Sequence, residues 1–246
     1  MVVGRGSVGR SLAKAAEASG IEVRLVSGDD APEACVGAAA ALLCVPDEAI
    51  APLCYRIAPD APPLVGHVSG ASTLDVVASA TEHGAATFSL HPLQTFADGS
   101  TPVEGTPAAI AGSTGESLVY GRSLAEALGM RPFEVPEKSR AAYHAAATIA
   151  SNLLVALEES AVDLLDRIGV DDPRELLTPL VLRTAANWAE RGPEALTGPI
   201  ARGDRETVER HRAALAEAAP ELISLYEALA KRAEAVARES SERVKA

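Results

Sequence analysis

The chain has 246 residues, with 34 acidic against 22 basic side chains and a formal charge of −12. That balance excludes a phosphate-rich polymer as its partner, because nucleic-acid binding draws on clustered lysine and arginine. Apolar residues make up 48% but aromatic ones only 3%, so the length suffices for one large or two modest domains with aliphatic strands and alanine-rich helices that approach closely. Cys35, Cys44 and Cys54 are odd in number and lack a CxxC spacing, which argues against a disulfide framework and against a metal site. They read as small buried hydrophobes. No basic leader with an apolar run follows Met1, and no stretch of about 18 uninterrupted apolar residues occurs. The expectation is a soluble, cytoplasmic protein with no membrane partner and no nucleic acid.

Met1-Val2-Val3 runs directly into Gly4-Arg5-Gly6-Ser7-Val8-Gly9, and a helical pattern follows from Arg10. This is the spacing of a dinucleotide-binding turn. Gly4 permits the tight turn out of a strand, Gly6 lets the backbone approach a pyrophosphate, and Gly9 lets the next helix pack closely. The N-terminus of that helix offers free N–H groups and the positive end of its dipole. A second strand, Ile21 to Val26, closes the βαβ unit. Gly4, Arg5, Gly6, Ser7, Val8 and Gly9 are therefore cofactor-binding candidates. Only three residues precede Gly4, whereas a central strand usually has about five or six. Either the first strand is short or the natural start lies upstream; the latter is expected, with a weakened centre of the sheet.

Further strands are predicted over Ala40 to Val45, Pro63 to Val68, Ala85 to Leu90, Pro107 to Ala111 and Arg131 to Val135. Helices are predicted over Asp47 to Ile57, Ser72 to Glu82 and Glu116 to Leu128, the last ended by Gly129. This alternation is the mark of a parallel α/β sheet. Beyond Pro136 the strands stop, which divides the chain into a dinucleotide-binding domain, 1–136, and a helical substrate and dimerisation domain, 137–246. Arg140 to Ile168 is the longest helical pattern and is apolar around most of its circumference, so it must be covered on several sides. It is either the central helix of an all-α domain or part of a dimer core. The charged tail, Glu221 to Ala246, reads as a solvated outer helix.

In an open parallel sheet, ligands bind beyond the carboxyl ends of the strands. There stand Val45-Pro46-Asp47, His67-Val68-Ser69-Gly70 and His91-Pro92-Leu93-Gln94-Thr95. Asp47 reads as an N-cap. Ser69-Gly70 is either a simple turn or a contact to the nicotinamide end of a cofactor. His91 is placed to exchange a proton with a substrate oxygen or nitrogen, and His67 is a second candidate; the alternative is a buried ring bonded to backbone. On the long helix, Tyr143-His144 precede Thr148, Ser151 and Asn152, which puts His144, Thr148 and Asn152 on one stripe. Polar groups on an apolar helix need partners or a wet cleft, so the stripe is either a helix-to-helix network or a substrate-facing wall. In the loop from Leu196 to Asp204, Thr197 and Arg202 are substrate candidates. Arg202 either clamps a carboxylate or pairs with Asp204, which itself can cap the next helix.

Taken together, the glycine turn, Val45-Pro46-Asp47, His67 to Gly70, Ser89 to Phe96, Tyr143 to Ala146, Ser151-Asn152 and Leu196 to Asp204 resemble one family. It is the Rossmann-like oxidoreductase family with a helical C-terminal domain of unassigned function (domain of unknown function 2520), related to 6-phosphogluconate dehydrogenase-like and ketopantoate reductase-like enzymes. The resemblance implies an α/β Rossmann-like N-terminal domain, an all-α C-terminal domain of the 6-phosphogluconate dehydrogenase type, and a nicotinamide-dependent reductase that is dimeric through the helical domain. His91-Pro92 also looks like the His-Pro segment of prephenate dehydrogenases, where the histidine contacts the hydroxyl being oxidised. The lysine-to-asparagine pair of ketopantoate reductases is missing, and His144 stands roughly where that lysine would be.

Ser27, at the end of the second strand, replaces the acid usual for NAD and leans towards NADP. Asp29 and Asp30 follow closely, however, and Arg5 is the one candidate for a 2′-phosphate. The function expected is hydride transfer between NADP, or NAD, and a small oxo or imino acid, with a 2-oxo acid such as ketopantoate as the narrower guess. His91 manages the proton, with His144 and Asn152 beside it. The alternatives are an imine reductase of the pyrroline-5-carboxylate type and a non-catalytic dinucleotide sensor.

Overall fold

In the computed structural model, which describes residues 1–245 and side chains as far as Glu242, the chain forms two compact units that divide between Ser151 and Asn152. The first holds the strands β1 (Val2–Val3), β2 (Leu25–Val26), β3 (Ala41–Leu43), β4 (Leu64–His67), β5 (Ala86–Pro92), β6 (Pro107–Gly112) and β7 (Arg131–Glu134). They form one seven-stranded sheet in the order β2-β1-β3-β4-β5-β6-β7. The first five run parallel, β6 is antiparallel to β5, and β7 is parallel to β6. Helices α1 (Ser7–Ala18), α2 (Ala31–Ala34), α3 (Asp47–Ile57), α4 (Ala78–Glu82) and α5 (Gly115–Ala127) flank it, giving a Rossmann-like α/β fold.

Strand alternation sorts the side chains into two cores. Val3, Leu43, Ile50, Ile57, Val65 and Val77 fill one face, and Leu12, Phe88, Leu90, Ile110 and Leu128 the other. β1 is only two residues long, yet it is paired on both sides, with Val2 N donating to Arg24 O and Cys44 N to Val3 O.

Two elements differ from the sequence reading in ways that shape the site. β5 continues through Pro92, so His91 and Pro92 lie within the strand and not after it. The cause is β6, whose antiparallel ladder pairs His91 with Ala109 and Pro92 with Ala108. The second difference is the helix expected over Arg140 to Ile168. It breaks at Ser151 (φ −128°, ψ −80°) into α6 (Arg140–Ala150) and α7 (Asn152–Arg167). Thr148, Ser151 and Asn152 favour helix ends over helix interiors, since their side chains compete for backbone groups. The compact division falls at this break, so α6 stays with the sheet instead of joining the helical part at residue 137. Ser72 to Glu82 likewise begins as a 3-10 turn, Leu74–Val77, before α4.

The second unit contains α7, α8 (Pro173–Arg191), α9 (Pro199–Arg202), α10 (Arg205–Ala218) and α11 (Ile223–Lys245). Arg174 ties α8 to α7 through both carboxylate oxygens of Glu159, at 2.7 and 2.9 Å. None of α7 is buried, contrary to what its apolar composition leads one to expect. Residues 137–167 are long and apolar enough to cross a membrane by length and composition alone, and 6% of the apolar 18-residue window within them is buried.

Candidate functional site

The glycine turn is built by close approach. Gly4 has φ +119°, a region that glycine alone adopts freely, and a Cβ there would stand 2.2 Å from the Cys44 carbonyl oxygen at the end of β3. At Gly9 a Cβ would stand 1.9 Å from the Gly4 carbonyl oxygen, so α1 starts in direct contact with the turn. Gly6 faces open space instead. The first i→i−4 bond of α1 runs from Arg10 N to Gly6 O, which leaves the amides of Ser7, Val8 and Gly9 ahead of the helical ladder. The first turn carries no acidic side chain and no side-chain cap. An open backbone cradle with free amides at a positive dipole end fits a diphosphate.

Beyond the end of β2, Ser27 Oγ donates to Asp30 Oδ2 at 2.6 Å, and Arg5 lies 4.0 Å from the same carboxylate. Arg56 lies 3.6 Å from Asp29. The rim that would meet a ribose thus holds a hydroxyl, a carboxylate and an exposed arginine together. Val45 and Pro46 follow β3, where Pro46, not Asp47, is the N-cap of α3. Asp47 is the first helical residue, and its carboxylate accepts from Ser69 Oγ at 2.7 Å. That bond fixes the Ser69-Gly70 turn beside the end of β4, where Ser69 Oγ also accepts from Ser72 N.

One face of the sheet is polar at its carboxyl edge. His67 pairs with Ser89 across β4 and β5, and His91 stands two residues beyond Ser89 on the same face. Small residues, Ala109 and Ala111, oppose them on β6. Onto this face α6 lays Arg140, Tyr143 and His144, its i, i+3 and i+4 positions. Arg140 is 1% exposed. Its Nη2 donates to Ser89 Oγ, its Nε to Glu137 Oε1 at 3.3 Å, and its Nη1 is buried without a partner. Glu137 in turn accepts from Leu74 N at 2.7 Å, tying the start of α6 to the turn before α4.

His67 is fully buried, with Nδ1 accepting from Ser69 N at 3.2 Å and Nε2 without a partner. Burial, reinforced by the Arg140 charge, lowers its pKa to about 4. His91 is half-buried, and its Nδ1 lies 2.7 Å from the Tyr143 hydroxyl. Burial, then His144 and Arg140, lowers its pKa to about 4 as well, so both rings are neutral at pH 7. Gly70 is required here: a Cβ would stand 2.7 Å from His91 Nε2 and 2.9 Å from His144 Cδ2.

The structure thus gathers His67, Ser69, Gly70, His91 and His144 in one place, on the same sheet edge as the glycine turn. Gln94 lies apart: its side chain is exposed and, among the described residues, accepts only from the neighbouring Thr95 N. The proposed stripe does not exist as one helix, since His144 and Thr148 lie on α6 and Asn152 begins α7 in the second unit. Thr197 and Arg202 also belong to the second unit and are exposed. There Asp204 caps α10 through Thr207 N at 3.1 Å and is not ion-paired with Arg202, which lines a cavity of about 800 Å³ with Arg205, Arg212 and Glu234. Sequence reasoning missed Arg140, Glu137 and Ser89 as parts of the polar face and left Tyr143 without a role. Their signal was present: Arg140 is a cation at the head of an apolar helix, spaced three and four residues from Tyr143 and His144.

Residues 106–233, more than half of the chain, match the model of a domain of unknown function, DUF2520. A comparison with curated protein sequences finds no match. Among solved structures, a protein of Bacteroides fragilis described as a candidate NADP oxidoreductase is 23% identical, with a TM-score of 0.79 over 95% of this chain and 96% of that one. A protein of Thermotoga maritima is 24% identical, with a TM-score of 0.77 over 98% of each chain. A reductive aminase of Aspergillus terreus, solved with NADPH and ethyl-5-oxohexanoate, is 15% identical, with a TM-score of 0.66 over 94% of this chain and 92% of that one. These likenesses establish the shared fold.

Proposed function

The chain belongs to the DUF2520 family, and from that membership and the geometry of its sheet edge we propose that it is an NAD(P)-dependent oxidoreductase acting on a small oxo or imino acid. The observation that carries the reading is the coincidence of an open glycine cradle at the start of α1 with the His67, His91 and His144 cluster on the same edge of one parallel sheet. The diphosphate would lie on the amides of Ser7, Val8 and Gly9, with Val45, Pro46, Ser69 and Gly70 along its path. When bound, the nicotinamide supplies or accepts a hydride. His91 supplies the proton that completes reduction of a C=O or C=N bond.

Ser27 and Arg5 favour a 2′-phosphate and hence NADP, while Asp30 keeps NAD as the alternative, because a carboxylate there can bind ribose hydroxyls. Within that class, a 2-oxo acid of the ketopantoate kind is the narrower proposal. The likeness to a reductive aminase solved with NADPH supports an imine as the second substrate class. Consumption of NADPH with 2-oxo acids, or with imino acids such as pyrroline-5-carboxylate, tests both. Tight NADPH binding with no turnover on either panel, and no effect of His91→Ala, would leave a non-catalytic dinucleotide sensor.

We assign the exposed apolar face of the helical unit to a homodimer. Val155 is 64% and Leu182 65% exposed. Between α7 and α8 runs an apolar groove lined by Leu154, Val155, Val162, Leu177 and Val181. Faces of this kind mark interaction sites. The break at Ser151 and the charges of Arg140, Glu158 and Glu159 favour a protein partner over a bilayer for residues 137–167. Three free, buried cysteines fit a cytoplasmic location.

A further inference from the structure

We propose that Tyr143 is a positioning residue: its phenol donates to Nδ1 of His91, so that His91 carries its one proton on Nε2 and presents an N–H to an acceptor atom beside Gly70. This inference rests on the oxidoreductase reading only for the identity of that acceptor, a carbonyl oxygen or imine nitrogen in place of a hydroxyl.

The geometry confines the choice of tautomer. The Tyr143 oxygen lies 2.7 Å from Nδ1, and the two rings meet edge to face at 5.6 Å and 87°. Phe133 braces Tyr143 from another side at 6.0 Å. A neutral imidazole has one donor and one acceptor nitrogen. The titratable and charged groups around His91 are Arg140, Tyr143 and His144 on α6, His67 on β4 and Asp47 on α3. Of these, His144 and Arg140 oppose a second proton on the ring, and Asp47 favours it. Burial tips the balance to the neutral ring. Burial also pushes the Tyr143 ionisation upwards, so the phenol keeps its hydrogen.

Among the described residues that hydroxyl makes no other hydrogen bond. Donation from Tyr143 to Nδ1 satisfies both groups within the protein, whereas donation from Nδ1–H would leave the phenolic hydrogen to solvent alone. The proton of His91 then sits on Nε2, the atom that a Cβ at Gly70 would approach to 2.7 Å. Gly70 packs closely against one side of Nε2, and the atom, which has no protein partner among the described residues and is not enclosed, is reached by an acceptor from its solvent side. As negative charge develops on that acceptor, the Nε2 proton passes to it and the Tyr143 proton moves to Nδ1; once the product leaves, solvent reprotonates Nε2 and the Nδ1 proton returns to the Tyr143 oxygen. One proton is consumed, and no further reactant.

The test is long-range proton–nitrogen NMR of the full chain labelled with ¹⁵N-histidine, without any dinucleotide. At neutral pH the expected result is a His91 ring with a pyridine-like Nδ1 and a protonated Nε2. In Tyr143→Phe, with chemical-shift dispersion confirming the fold, the neutral ring loses its stabilising donor. The preference for Nε2–H should then be lost, with both neutral tautomers populated. A wild-type ring protonated on Nδ1, or an unchanged Nε2–H preference in Tyr143→Phe, overturns the proposal. Because neither readout needs cofactor or turnover, the oxidoreductase reading can fail while this one stands, and the reverse.

Discussion

In the first unit the apolar side chains are enclosed on both faces of the sheet, whereas in the second α7 buries no residue and α8 buries only Pro173. Burial of apolar area is the main favourable term in folding, at about 25 cal/mol per Å². The first unit therefore carries its own stabilisation, and the second leaves much of its apolar surface for something else to cover. α6 marks the boundary between the two regimes. Its apolar composition resembles that of α7, yet it stays with the sheet because Arg140, Tyr143 and His144 are bonded to or packed against groups of the first unit.

The sharpest way to break this contrast is at the tightest contact of the self-sufficient unit. Gly9→Ala forces a Cβ onto the Gly4 carbonyl, against rigid backbone. It should cost about 3 kcal/mol or more by thermal or urea unfolding and should abolish dinucleotide binding. A near-neutral result would mean that the turn is not locked as described.

Acid comes next. His67 and His91 have folded pKa values of about 4 against about 6.5 unfolded, so the unfolded chain binds more protons between those limits. Stability is then fully present above about pH 6.5 and declines as pH falls towards 4, by on the order of 2–3 kcal/mol per histidine. Urea unfolding across that range should show the slope, and His67→Gln should flatten it. A pH-independent midpoint would show that the histidines are not buried neutral.

A gentler test bears on the second unit. Val155→Glu with Leu182→Glu should convert a dimer to a monomer in sedimentation while leaving dinucleotide affinity within about threefold, since the cradle lies in the other unit. An unchanged mass would assign that face to something other than a second copy.

Arg5→Ala probes the smallest difference. It should weaken NADPH relative to NADH about tenfold, the loss of one charge-assisted contact to a 2′-phosphate. Equal losses for both nucleotides would remove the NADP preference.

Local chemistry made the first unit legible. The Gly4, Gly6 and Gly9 spacing, the aliphatic runs and Gly129 each act within a few residues, and the strands and α3 follow from them. His91 was legible as a candidate but not as a strand residue, because the antiparallel β6 that extends β5 comes from a later part of the chain. Arg140 was visible as a cation at the head of an apolar helix, three residues from Glu137, but its contact with Ser89 joins residues 51 apart that only the fold brings together. The break at Ser151 was within reach of propensity, but the apolar pattern on either side reads through it. What covers α7 and α8 lies outside one chain, and no pattern within the sequence specifies it.

The most direct measurement is titration calorimetry of the full chain with NADPH and NADH at neutral pH. Saturable one-site binding of at least one nucleotide, tighter for NADPH and lost in Gly9→Ala, is the expected result. Absence of binding heat with both nucleotides across a range of temperatures would contradict the assignment of the glycine cradle, and with it the redox function.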